Sequence, residues 1–419
     1  MAMAAIEPGE EQGVDTPRPT CIASWAAPSE DERQGTAPSP AGLKNDTTSF
    51  TSAQWSPDGT CLLASTIDAV ASRANTLQTF VLPPDLLSSP SLHSLRPYSS
   101  LSQSGPIYAS TPYPFFDLSS PSTTLILSSP VDHPIRLTNA LAHSAGIIAS
   151  YPLIKETTEE YIAPYSLVFT RTGTHFVAGS RDLLSVFDVS RSGEGPVEDL
   201  PTSVSKTRRR FEGSGFMDMV GWISSMSINC DGLLAAGTFQ RNVGLYSDDG
   251  RGETVAVFKV RDDDLPEGGG YSGAGITKVE WSPCGRYLYI AERKSDGALV
   301  YDIRVAGKRL GWLGGRKAVT WQRLGIDAVR AGEGHEVWAG GTDGKVRMWK
   351  GPSDKEGLVE ASFEWDAGED PVVAALVHPS GTVAATCFGQ HRRTLLEEME
   401  STDSEDEDTE TSEDSLGSA

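Results

Sequence analysis

The phrase Trp55-Ser56-Pro57-Asp58-Gly59 recurs in altered form along the chain, and each copy is followed by a short apolar run rich in small residues. Trp281-Ser282-Pro283-Cys284-Gly285 leads to Tyr287-Leu288-Tyr289-Ile290-Ala291 and then to Ala298-Leu299-Val300-Tyr301-Asp302. Phe169-Thr170-Arg171-Thr172-Gly173 leads in the same way to Phe176-Val177-Ala178 and then to Leu184-Ser185-Val186-Phe187-Asp188. In Ser-Pro-x-Gly the proline presets φ near about −65° and the glycine accepts positive φ, so the phrase encodes a turn. The flanking runs are too short for helices and carry the branched and small residues of closely packed strands. Asp343-Gly344 adds a hairpin turn, after which Lys345 to Trp349 alternate charged and apolar positions. A strand-turn-strand unit of this size cannot bury its apolar face alone, so it must stack on further copies of itself.

Counting the units predicts an all-β, seven-bladed β-propeller, each blade an antiparallel sheet of about four strands. Blade one begins near Phe50. Blade two, from about Ile107 to Ala140, is irregular, with strands expected around Leu125 and Ile135 but no closing Trp-Asp. Blades three to six are anchored at Gly173, Gly232, Gly285 and Gly334, and blade seven at His378-Pro379-Ser380-Gly381. No further strand follows Phe388, so the ring needs one from the N-terminal part, and Cys21-Ile22-Ala23-Ser24-Trp25 is the candidate. The expected organisation is a disordered flank over residues 1–46, the propeller over 47–393 and an acidic disordered tail over 394–419.

The formal net charge is −22, and the tail from Thr394 onward supplies half of it with eleven acidic side chains and no basic one. The N-terminal flank is acidic as well, which leaves the repeat region close to neutral and free to carry a local basic patch. Ser404, Thr409, Ser412 and Ser415 sit among acids and suit an acid-directed kinase; a solvating tail is the alternative. No run approaches the roughly 18 apolar residues of a membrane span, and acids stand where a secretory signal needs bases, so a soluble intracellular protein is expected.

Cofactor and metal chemistry are not expected. The five cysteines are scattered, with Cys61 and Cys387 read as strand residues and Cys284 as a turn residue, and the seven histidines stand singly. Gly268-Gly269-Gly270-Tyr271-Ser272-Gly273 fits GxGxxG, but a strand from Ile276 follows where a phosphate cradle needs a helix. No GxSxG elbow is present. Asp188 and Asp302 recur at blade ends, where a structural hydrogen-bond role is expected.

Basic residues carry the binding candidates. Lys206, Arg208, Arg209 and Arg210 cluster between blades three and four with Phe211 and Phe216 nearby, and fit an RNA contact, an import signal or a solvated loop. Arg293, Lys294 and Arg304 fall on blade five, and with Arg181 and Arg241 they are expected at one rim. Arginine grips phosphate with two parallel hydrogen bonds, while Tyr151 and Phe239 are candidates for base stacking.

Several phrases go beyond a generic repeat. Blade one opens with Ala53-Gln54-Trp55-Ser56-Pro57-Asp58-Gly59-Thr60-Cys61, and blade two ends with Ser128-Ser129-Pro130-Val131-Asp132-His133-Pro134. The connector into blade three runs through Ala149-Ser150-Tyr151-Pro152 to Ala163-Pro164-Tyr165-Ser166. Blade four has Gly237-Thr238-Phe239-Gln240-Arg241-Asn242-Val243-Gly244-Leu245-Tyr246, and blade five Ala291-Glu292-Arg293-Lys294 with Tyr301-Asp302-Ile303-Arg304. On these residues the stretch from about 50 to 390 resembles the telomerase Cajal body protein family of WD-repeat propellers, including its fungal splicing-associated counterpart. The resemblance implies a noncatalytic scaffold in the nucleus, with a cytoplasmic pool left open. Its implied partners are small nuclear or Cajal body RNA and the proteins of their particles. Its implied roles are snRNP or scaRNP biogenesis and pre-mRNA splicing, with telomerase RNP trafficking behind them. A generic docking propeller in a ubiquitin-ligase or chromatin complex is the alternative.

Overall fold

A computed structural model of the chain describes residues 1–6, 19–25, 48–68, 75–89, 91–103, 105–155, 157–203, 218–261, 271–305 and 307–389. Seven sheets follow one another around a ring, and their innermost strands pack side by side about a central channel. The seven-bladed propeller expected from the repeat is therefore the fold. The innermost strands of blades one to six are Thr48–Trp55, Ile107–Pro112, Ser166–Phe169, Ile223–Ile228, Ile276–Trp281 and Ile326–Ala331; blade seven begins with Val372–Val377. All run in one direction, so the ring has an entry face where they begin and an exit face where they end.

The repeated phrase forms the turn between first and second strands on the exit face. Gly59, Gly173, Gly232, Gly285 and Gly381 occupy it with φ of 72°, 68°, 84°, 71° and 75°. At Gly59 the crowding is also steric, because a β-carbon there would lie 2.6 Å from Nε2 of His378 in blade seven. In blade six the turn residue is Gly332, at φ 55°, and Gly334 already begins the second strand. The small residues of second strands serve the approach of the next blade. Gly237 faces Ile276 of blade five so closely that a β-carbon would meet its Cγ2 at 2.7 Å. Trp281, Leu288, Tyr301 and Trp312 belong to one of the buried interblade clusters, each such side chain contributing about 1.5–3 kcal/mol by leaving water.

Closure takes two strands from the N-terminal region. Ala2–Ala5 pairs antiparallel with Val383–Phe388, Met3 opposite Ala385, and Thr20–Ser24 pairs outside it. Trp25 then sets its ring against Phe50 and Phe80 of blade one, 5.4 Å from each. Residues 1–6 thus belong to the propeller rather than to a flank. Ala-Met-Ala-Ala has no alternation to announce a strand, and only the open edge of Val383–Phe388 makes it one. Two further edges are covered by straps: His93–Ser94 lies parallel to Thr20–Ser24, and Gly357–Val359 parallel to Arg309–Leu313.

Candidate nucleic-acid interface

The candidate cations separate between the two faces. Arg293 and Lys294 follow Glu292, whose strand partner Ile276 begins the innermost strand, so they stand on the entry face. Arg304 follows Asp302, whose partner Tyr287 begins the second strand, so it stands on the exit face. There it forms a two-pronged pair with Asp302 at 2.9 and 2.6 Å. The expectation of a single rim is corrected for Arg304: successive hairpin ends of an antiparallel blade alternate between faces.

Arg181 and Arg241 are on the entry face with Arg293. Arg181 lies against Trp222 through an isolated bridge, its guanidinium 4.0 Å from Asp182. Arg241 is held by the buried carboxylate of Glu292, with Nε donating at 2.7 Å and Nη2 at 3.1 Å. Tyr151 is fully buried between blades two and three, donating its hydroxyl to the Val189 carbonyl at 2.7 Å. Burial pushes its phenol up to about 12. The stacking role expected of Tyr151 fails on this burial. Lys206, Arg208, Arg209 and Arg210 lie outside the described residues; Thr202 and Met219 on either side hydrogen-bond to each other, Thr202 also donating to Asp182.

Phe239 is the centre of an array that linear spacing does not reveal. Tyr108 stacks on Tyr165 at 4.2 Å, and Tyr165 meets Trp222 at 4.8 Å and Phe239 at 5.9 Å. Arg293 covers Phe239 at 4.3 Å, Arg323 covers Phe239 and Tyr165 at 5.2 and 5.7 Å, and Lys294 covers Trp321 at 4.0 Å. These residues come from blades two to six. Arg323, leading into blade six, reaches residues of blades three and four, so the array crosses the entry mouth of the channel. Tyr108 and Tyr165 share one register, each one residue before the strand partner of Ser129 or Gly179, whereas Trp222 stands two positions earlier, ahead of the irregularity between Ile223 and Ser225. Aligning the repeat copies at that register is the signal that finds the two tyrosines.

The local backbone is specialised to present these groups. Asp132, Asp182, Arg241 and Lys294 occupy the entry-face hairpins of blades two to five with φ of 58°, 56°, 65° and 50°. Glycine takes this conformation without steric cost and aspartate adopts it readily, whereas Arg241 and Lys294 are strained there by roughly 1–2 kcal/mol each. The connection carrying Trp321 and Arg323 is pinned from below by Arg316, 1% exposed, whose Nη2 donates to the carbonyls of Leu324 and Gly325 at 2.7 and 3.0 Å. Around the buried Tyr165, the partly buried rings of Tyr108, Trp222, Phe239 and Trp321, bounded by cations, offer bases a surface to stack on and phosphates a countercharge.

Below the array the channel encloses about 810 Å3, with Lys278, Glu280 and Asp327 on its wall. Lys278 pairs with Glu280 at 2.9 Å, and that charge raises its pKa. Asp327 accepts the Val377 amide at 2.8 Å, and burial pushes its carboxyl up to about 7. A carboxyl raised in the folded state favours folding while protonated and loses that contribution as pH rises from about 4 to about 7. Asp327→Asn keeps an acceptor for Val377 and removes the charge. It should therefore match the unmodified protein near pH 4 and exceed its stability by about 4 kcal/mol at pH 8, at about 1.4 kcal/mol for each of roughly three pH units. Thermal melts across that range check it, and a difference independent of pH would refute it.

Among the described residues no group of three or more His, Cys, Asp or Glu side chains is placed to hold a metal, and no helix is long and apolar enough to cross a membrane. No family model matches the chain. It is 30% identical over 310 residues to Guanine nucleotide-binding protein negative regulator 1 of Schizosaccharomyces pombe, covering 72% of this chain and 70% of that protein. It is 28% identical over 345 residues to Telomerase Cajal body protein 1 of Mesocricetus auratus, covering 80% of this chain and 57% of that protein. With the Homo sapiens protein of the same name it shares 27% over 359 residues, 84% of this chain and 59% of that one. The chain thus spans less than two thirds of the length of these mammalian relatives. The similarity runs through most of the seven-bladed ring, and on that extent the chain belongs to the telomerase Cajal body protein family of WD-repeat propellers, together with its fungal members.

Proposed function

We propose that this protein is a nuclear scaffold that holds small RNA-protein particles by gripping unpaired RNA on its entry face. The observation that carries the reading is the continuous array of Tyr108, Tyr165, Trp222 and Phe239 with Arg293, Arg323 and Lys294 over five blades. Stacking on aromatic rings is tolerant of sequence, and arginine adds charge and directed hydrogen bonds to phosphate. Left-handed backbone at Arg241 and Lys294 supports a functional demand on this face, since it is retained there at a steric cost. Names of relatives that refer to Cajal bodies support a nuclear site of action. Biogenesis of snRNPs or scaRNPs and pre-mRNA splicing stand first among the roles, and telomerase RNP trafficking second.

Propellers also serve as docking platforms for proteins alone, so the test separates the two. The tagged protein is purified from cells with and without ribonuclease. Co-purification of small nuclear RNA, with particle proteins that leave on ribonuclease treatment, is expected. Recovery of ribonuclease-insensitive protein partners with no RNA would replace the RNA reading with the docking one.

A further inference from the structure

We propose that Glu292 is a positioning residue for the entry-face array, orienting Phe239 and Arg293 without itself touching RNA. This role rests on the RNA reading above and deepens it.

Glu292 ends the second strand of blade five opposite Ile276, and its carboxylate is fully buried. It accepts Nε and Nη2 of Arg241 at 2.7 and 3.1 Å and the hydroxyl of Tyr271 at 2.7 Å. Tyr271 is itself buried, and burial with the Glu292 charge holds its phenol well above the ordinary range, so it stays a donor. Gly273 closes over the carboxylate with no room for a β-carbon. An ionised group is retained in such a place only when its partners satisfy it, and here three donors do so.

The placement of the pair gives it a further consequence. Arg241, at φ 65°, stands two residues after Phe239 at the tip of the blade-four hairpin. Glu292 stands one residue before Arg293. The two-pronged ion pair therefore ties together the two backbone segments whose side chains meet as Arg293 over Phe239, at 4.3 Å. A guanidinium and a carboxylate fix mutual orientation as well as distance, because both are planar and bond in parallel. Arg293 also shares backbone hydrogen bonds with Ala274 and Gly275, next to the closing Gly273, so the same latch borders the array on both sides. Neither Glu292 nor the inner face of Arg241 is open to a ligand, which separates orienting from contacting.

The distinction can be read from salt dependence. A residue that neutralises a phosphate contributes about 0.7 to the slope of log affinity against log salt for single-stranded RNA, and a residue that only orients others contributes none. Binding of a fluorescein-labelled single-stranded RNA of about 12 nucleotides is measured by anisotropy over a salt series. Glu292→Gln is expected to weaken binding about tenfold with the slope unchanged, and Arg241→Lys, a point charge in place of a fork, about threefold with the slope unchanged. If E292Q does not fold, as circular dichroism and a melt will show, Arg241→Gln carries the test, because it removes the cation and would lower the slope if Arg241 neutralised a phosphate. Unaltered affinity in a folded variant, or a slope reduced by about 0.7 as when one phosphate goes unneutralised, overturns the positioning role. Absence of salt-dependent binding by the unmodified protein would instead remove the RNA reading, and the role with it.

Discussion

Replacing Met3 with Asp is expected to open the ring and lower the melting temperature by roughly 5 °C or more. Met3 is fully buried, packed with Phe50, Leu62, Phe80 and Cys387 where blade seven meets blade one. A carboxylate there is stripped of water and forgoes most of the apolar packing, at a cost of several kcal/mol. The strand Ala2–Ala5 also supplies the partner for Val383–Phe388, so its detachment bares a sheet edge in an otherwise closed fold. Faster amide exchange confined to Val383–Phe388 and Thr20–Ser24 is the expected local signature. Cys21→Ser, in the same blade but exposed, should change neither measurement. Normal melting and protection in the Met3 variant would show that closure does not depend on this strand.

Charge reversal of Arg293 and Lys294 together is expected to weaken RNA binding on the order of 100-fold at 0.1 M salt, by removing two phosphate partners and adding two repelling charges. The slope of log affinity against log salt should fall by about 1.4, at about 0.7 for each phosphate left unneutralised. Folding should scarcely change. Lys294 is exposed, and the Arg293–Phe239 pairing contributes about 0.5–1 kcal/mol, equivalent to about 1 °C in a protein of this size. Crosslinking in cells should fall in parallel. Undiminished crosslinking with an unchanged melt would move the RNA site off the entry face.

Legibility from residues alone depends on the range of the interaction concerned. The Ser-Pro-x-Gly turns are plain because proline and glycine act on their own φ. Blade six is ambiguous because Ala331-Gly332-Glu333-Gly334 offers two glycines; the spacing points to Gly334, and only backbone geometry chooses Gly332. Arg293, Lys294 and Phe239 stand out as candidates in the sequence, and the structure brings them together. Arg304 groups with them by spacing, yet spacing along a chain does not reveal which end of a blade a residue reaches. Tyr151 looks available for stacking in the sequence, but it fills the seam against Phe176 and Phe187.

The repeating unit and the number of its copies follow from local chemistry. Turn residues, short apolar runs and small side chains at strand centres act over a few positions, and together they leave few folds other than a ring of antiparallel sheets. Which groups meet across that ring is a matter of three dimensions. Ala2–Ala5 becomes a strand because Val383–Phe388 lacks a partner, and Arg241 finds Glu292 in the next blade. Tyr108, Tyr165, Phe239, Arg293 and Arg323 converge at the channel mouth from five blades. Such meetings depend on the curvature produced when all seven sheets pack together, a quantity no single repeat contains.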